Sequence, residues 1–115
     1  MPNKAMTEQA FFVLTALVEA PCHGYGIVGE VRELSGARVE LKVGTLYGVL
    51  DRLVSQGLVA PDREEVHQGR LRRYYRLTDH GGAALGAEAE RQAANARAAT
   101  RRLRSWRPVE TGGAA

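Results

Sequence analysis

The sequence predicts a mainly α-helical fold with one small β-hairpin: a winged helix-turn-helix followed by a long C-terminal dimerisation helix. Two stretches carry that expectation. The run Val43-Gly44-Thr45-Leu46-Tyr47-Gly48-Val49-Leu50-Asp51-Arg52-Leu53-Val54-Ser55-Gln56-Gly57-Leu58-Val59 reads as a short helix that ends at a glycine and passes straight into a strand. Leu46, Leu50, Leu53 and Val54 recur at helical spacing, and Thr45, Gly48, Asp51, Arg52 and Ser55 form a small, polar opposite face. Further on, Arg70-Leu71-Arg72-Arg73-Tyr74-Tyr75-Arg76-Leu77-Thr78 is an arginine-rich strand. A helix followed by a basic hairpin is the order of a winged helix-turn-helix, which makes DNA the first partner to weigh.

Each element has its own local reason. Residues 1–6 read as a flexible tail. Thr7 can N-cap a first helix with Glu8 in its opening turn, and Phe11, Leu14, Leu17 and Val18 supply an apolar stripe that Pro21 ends. Cys22-His23-Gly24 reads as a turn. A second helix opens at about Tyr25, with Ile27, Val31 and Leu34 on one face and Gly36 as its stop. Val39-Glu40-Leu41 alternates as a short strand would. The recognition-type helix is expected over 44–56, and the hairpin turns near His67-Gln68-Gly69. In the return strand Leu71, Arg73, Tyr75 and Leu77 point one way, and Arg72, Tyr74, Arg76 and Thr78 the other. The expected division is 7–78 for the winged domain, 79–107 for the last helix and 108–115 for a disordered tail.

That last helix would be about 40 Å long at 1.5 Å per residue. Its seam of Leu85, Ala89, Ala93, Ala96, Ala99 and Leu103 is dominated by alanine, so it buries little against its own small domain. Close packing against a second copy is its natural use, and a homodimer is expected.

Composition narrows the function. With 115 residues and 44% hydrophobic content, one domain with a modest core is expected. No apolar run approaches a membrane span, and no signal-peptide pattern opens the chain. The lone Cys22 excludes an internal disulfide and fits a reducing cytoplasm. A formal charge of +3 says little by itself. Its distribution says more: Arg63, Arg70, Arg72, Arg73 and Arg76 crowd the hairpin against Glu64 and Glu65, and residues 91–107 hold six arginines and no acid.

The candidate DNA contacts are Thr45, Tyr47, Arg52, Arg70 and Arg72. A hydroxyl at a helix N-terminus can donate to a phosphate where backbone N–H groups also point, which favours Thr45. Tyr47 lies beside the apolar face, half-buried, with its hydroxyl at the DNA surface. Arg52 reaches a base edge or phosphate, or else pairs with Asp51 or Glu40. Arg70 and Arg72 follow the glycine tip of the wing, and Arg73 reads as structural. His23 beside Cys22 has too few companions for a metal site, so no metal and no cofactor are expected. Gly24 and Gly26 read instead as packing glycines with Tyr25 filling the core. No activated nucleophile or carboxylate pair suggests an enzyme. Trp106 sits near the end of the last helix, placed to pack against a partner's Phe11 or Phe12.

Taken together, His23-Gly24-Tyr25-Gly26-Ile27, Gly44-Thr45-Leu46-Tyr47 with Leu50, Arg52 and Leu53, Gly57-Leu58-Val59, Arg73-Tyr74-Tyr75-Arg76-Leu77-Thr78 and Gly81 resemble the PadR family of bacterial transcriptional regulators, in its small class with a single C-terminal helix. The resemblance covers about residues 7–85. It implies a dimer that binds a palindromic operator, acts as a repressor and is relieved by a small aromatic or drug-like effector, with Trp106 on the last helix as the alternative candidate for a flat-ligand pocket between subunits. Two positions depart from the pattern: Gly48 stands where proline or a larger residue is commoner, and Gly82 where a charged helix former is. The rival reading is a winged-helix module that binds a ligand or protein and does not bind DNA specifically. An acidic wing or an apolar recognition face would favour that rival, and neither is present.

Overall fold

In the computed structural model, which describes residues 6–109, four helices surround a three-stranded antiparallel sheet. The order is α1 (Glu8–Ala16), β1 (Cys22–His23), α2 (Gly24–Leu34), α3 (Val43–Ser55), β2 (Val59–His67), β3 (Arg70–Leu77) and α4 (Asp79–Arg104). Apart from Met6, Pro108 and Val109, the tails expected over 1–6 and 108–115 lie outside the described residues.

Local chemistry explains most boundaries. Thr7 caps α1 by accepting from the Ala10 N–H at 3.0 Å. The helix ends at Ala16, so Val18 falls beyond it and is exposed, whereas Val13, Leu14 and Leu17 are buried. Ile27 and Val31 of α2 join them; Leu34, in the last turn, does not. From α3 come Leu46, Val49, Leu50 and Leu53, and from the sheet Val59 and Tyr75. Each fully buried aliphatic side chain in this cluster contributes roughly 1.5–3 kcal/mol.

Two expectations fail. Val39-Glu40-Leu41 is not a strand: the buried Ser35 hydroxyl accepts the Val39 N–H at 3.0 Å, and that donor is then unavailable to a ladder. Val39 and Leu41 still both point inward, as their alternation requires. The third strand is instead Cys22–His23, read above as a turn, which pairs with Tyr75 and Tyr74 of β3.

The wing is β2 and β3 in antiparallel register, Glu64 opposite Arg73, Glu65 opposite Arg72, Val66 opposite Leu71 and His67 opposite Arg70. Between Pro61 and Glu64 a bulge gives β2 an extra residue. At the tip Gln68 and Gly69 both take positive φ, 52° and 76°, the pair of left-handed residues that a two-residue hairpin loop demands.

Helix α4 is anchored only by its first turns. The Thr78 hydroxyl donates to the Gly57 carbonyl at 2.7 Å and accepts from the Gly81 N–H at 2.9 Å, which caps the helix despite Gly82. Gly81 is buried against the Leu58 carbonyl. Every residue from Ala89 to Val109 is exposed, and the projecting helix stretches the molecule to 67 × 34 × 25 Å. No helix among the described residues is long and apolar enough to cross a membrane.

Candidate nucleic-acid interface

The outer ridge of α3 is made of Gly44, Gly48, Asp51 and Ser55, with Thr45 and Arg52 on one flank and Tyr47 on the other; all are exposed. A Cβ built at Gly44 or Gly48 would meet nothing within 4 Å, so the ridge is open rather than packed. Thr45, Gly48 and Arg52 border a groove of about 760 Å³ that is closed on its other side by Met6, Ala10 and His80. The Arg52 guanidinium forms no ion pair among the described residues, and Glu40 is taken by Arg32 at 3.0 Å. That leaves Arg52 available to a ligand. Tyr47 is 37% exposed, and its hydroxyl packs over Gly24, where an added Cβ would stand 2.9 Å from it. It therefore braces α2 against α3 more than it points outward.

α1, α2 and α4 are each capped by a side chain, from Thr7, His23 and Thr78. Lys42, at the head of α3, makes no capping hydrogen bond. The first-turn N–H groups of α3 are thus open to an external acceptor, beside Gly44 and the Thr45 hydroxyl. Sequence reasoning missed this feature, although the lysine at the cap position was its visible sign.

The wing's charges are divided by its register. Arg63, aimed by the bulge, lies 4.0 Å from the Tyr74 ring centroid and pairs with Asp62 at 3.1 Å and Glu65 at 2.8 Å. Glu64 faces Arg73 at 3.6 Å, and Asp62 also reaches Arg76 at 3.7 Å. Arg70 and Arg72 form no salt bridge among the described residues. Five wing arginines reduce to two free cations, both on the face shared with Tyr74.

Tyr25 corrects the sequence reading. It is 67% exposed rather than in the core. It stands two residues before buried Ile27, about 200° around the helix, so helical spacing should have placed it outside. The glycines beside it do permit close packing: a Cβ at Gly26 would lie 2.5 Å from Cys22 Sγ. Phe11 and Phe12 are half-buried with rings edge-on at 5.4 Å, while Leu85 is partly buried and Ala89, Ala93, Leu103 and Trp106 are exposed along α4.

His23 has structural work. Its Nδ1 accepts from the Gly26 N–H at 3.4 Å, and its ring lies edge-on to Tyr74 at 5.3 Å. Burial, then the nearby Arg72 and His67, hold its pKa below the ordinary histidine value, with Glu65 opposing. The unfolded chain therefore takes up this proton first. Stability from His23 should be complete above about pH 6.5 and decline as pH falls through that value towards the lower folded-state pKa. His23→Asn keeps an acceptor at the cap without a proton to gain. Urea unfolding at pH 7.5 and 5.5, taken as about one unit either side of that value, should show the smaller pH loss for the variant; equal losses would remove His23 from the effect.

Three helices with a basic wing on a three-stranded sheet define a winged helix-turn-helix protein, here with a long helix appended. A model of the transcriptional regulator PadR-like family matches residues 13–87, and the chain belongs to that family. It is 41% identical over 81 residues to a 37.1 kDa protein in transposon TN4556 of Streptomyces fradiae, a match covering 70% of this chain and 22% of that one. The chain thus spans less than a quarter of that relative's length. Among solved structures it resembles a PadR family transcription regulator from Clostridium difficile R20291, with TM-score 0.70, 28% identity, and coverage of 84% of this chain and 99% of that one. It shares its fold with Bacillus subtilis PadR, solved in complex with operator DNA, at TM-score 0.58 and 20% identity over 89% of this chain and 51% of that one. The family is one of transcriptional regulators, in keeping with the expectation of a regulator rather than an enzyme.

Proposed function

We propose that this chain is a DNA-binding repressor that acts in the cytoplasm as a homodimer on a palindromic operator. The observation that carries the reading is the distribution of free cations: among the described residues Arg70 and Arg72 on the wing and Arg52 on α3 have no carboxylate partner, whereas Arg63, Arg73 and Arg76 are neutralised. The uncapped start of α3 adds backbone donors beside Thr45. The operator complex of Bacillus subtilis PadR, which has the same fold, supports the same use here.

The dimer reading rests on α4, whose seam of Leu85, Ala89, Ala93, Ala96, Ala99 and Leu103 is left uncovered beyond its first turns by the described residues. The partner's Phe11, Phe12 and Trp106 would complete that interface, and a flat aromatic effector bound there would release the operator. The primary test is fluorescence anisotropy with DNA from upstream of the protein's own coding sequence. Tighter binding than to scrambled DNA of equal composition is expected; equal binding would reject sequence-specific recognition.

The bare ridge of α3 gives a second prediction. Gly48→Ala should raise the thermal midpoint, because alanine is favoured over glycine inside a helix by up to about 1 kcal/mol and the new methyl meets nothing. The same methyl should weaken operator binding, since it stands where the base edges approach. A variant that is more stable yet binds as tightly would take this ridge out of the contact.

A further inference from the structure

The two faces of the wing differ in chemistry. Its outer face bears Tyr74 and the free cations Arg70 and Arg72. Its inner face, which continues from buried Tyr75, bears Arg73, Leu71 and their partners Glu64 and Val66. Tyr75 is buried in the same core cluster as Leu46, Leu50 and Leu53 of α3, so this inner face is the one turned towards α3 at its root. Val66 is 74% exposed and Leu71 57%, directly opposite one another near the tip. Glu64 and Arg73 neutralise each other behind them. The inner face is therefore electroneutral and apolar at its end, beside a strongly cationic outer face.

A cross-strand aliphatic pair steadies a hairpin by a fraction of a kcal/mol; side by side, Val66 and Leu71 also make one contiguous apolar patch on the surface. Their occupant is indicated by their neighbours. Arg70 and Arg72 draw the tip to a polyanion, and with α3 in the major groove one sugar–phosphate strand of the duplex would pass between α3 and the inner wing face. The surface met there is not only phosphate. Deoxyribose rings line the groove wall with C–H groups, an apolar strip that complements Val66 and Leu71.

We infer that Val66 and Leu71 form an apolar clamp on the deoxyribose rings of one strand, while Arg70 and Arg72 hold phosphates on the other side of the wing. The inference rests on the DNA-binding reading above and adds a contact that releases no counterions. Its signature is a loss of affinity without a change in salt dependence.

The test uses the full chain and the upstream DNA fragment, with binding measured across a salt series. V66T/L71T places a β-branched strand former at both positions and should bind about tenfold more weakly, with an unchanged slope of log K against log salt. The swap V66L/L71V keeps the apolar surface and should bind like the parent. Thermal unfolding and amide spectra establish that the wing of each variant is intact. Parental affinity in V66T/L71T overturns the clamp, as does a slope that falls as it does when arginines are removed. A change in oligomeric state with DNA binding untouched assigns the pair to a second copy and overturns it too. If the parent chain itself does not discriminate the upstream fragment, the reading beneath has failed, which is a different result from a silent V66T/L71T.

Discussion

Gly81→Ala is expected to cost about 3 kcal/mol or more of folding stability, at or beyond the upper end of ordinary overpacking. A methyl at Gly81 would overlap the Leu58 carbonyl oxygen and stand 2.9 Å from both the Leu58 carbonyl carbon and Leu77 Cδ1. A flexible side chain could swing aside; a backbone carbonyl cannot. That carbonyl is also tied down, since it accepts the Thr78 N–H at 3.2 Å while Thr78 holds Gly57. The end of α3, the last residue of the wing and the first turn of α4 thus meet at one point. Relief of the clash would have to move the wing relative to α3, so affinity for DNA should fall along with stability. Gly86→Ala is the control. It lies in the same helix, in open space, and should stabilise by up to about 1 kcal/mol through helix propensity. Urea unfolding of both variants decides the matter: a Gly81→Ala midpoint equal to the parent's would mean that the junction yields without cost.

Both glycines look alike in the sequence, and that marks the boundary of what it discloses. Periodicity places α3 and the wing correctly because Leu46, Leu50 and Leu53, and then Leu71 to Leu77, repeat at the spacing of their own elements. Thr7 and Thr78 announce their helices by local capping chemistry. What escapes is set by partners distant along the chain. The strand Cys22–His23 is two residues long and exists only because Tyr74 and Tyr75 lie beside it. Ser35 draws Val39 away from strand geometry through a side chain four residues earlier. The sequence counts five arginines in the wing; which of them are free depends on register and on the bulge between Pro61 and Glu64. The preference for Arg70 and Arg72 rested on their place beside the tip, and the ion pairs of Arg63, Arg73 and Arg76 supply a separate reason for the same choice.

Removing that pair of free cations should have the largest effect on DNA binding. Each phosphate neutralised contributes about 0.9 to the slope of log K against log salt. Arg70→Ala with Arg72→Ala should therefore lower the slope by about 1.8 for each protomer and weaken binding roughly thirtyfold per wing near 0.15 M salt. The loss should be similar on operator and scrambled DNA, because phosphate contacts position the protein without reading sequence. The informative comparison is Glu64→Ala with Arg73→Ala. It removes an equal and opposite pair held at 3.6 Å, leaves the net charge of the wing unchanged, and should leave the slope alone. Stability should change little in either double variant, since Arg70 and Arg72 form no salt bridge among the described residues and an exposed pair such as Glu64–Arg73 is worth about 0–1 kcal/mol. If the two double variants flatten the slope equally, total arginine content governs binding and the division of charge across the wing does not. If only the first does, the acids on β2 decide which arginines reach DNA, confining the cationic contact to the tip.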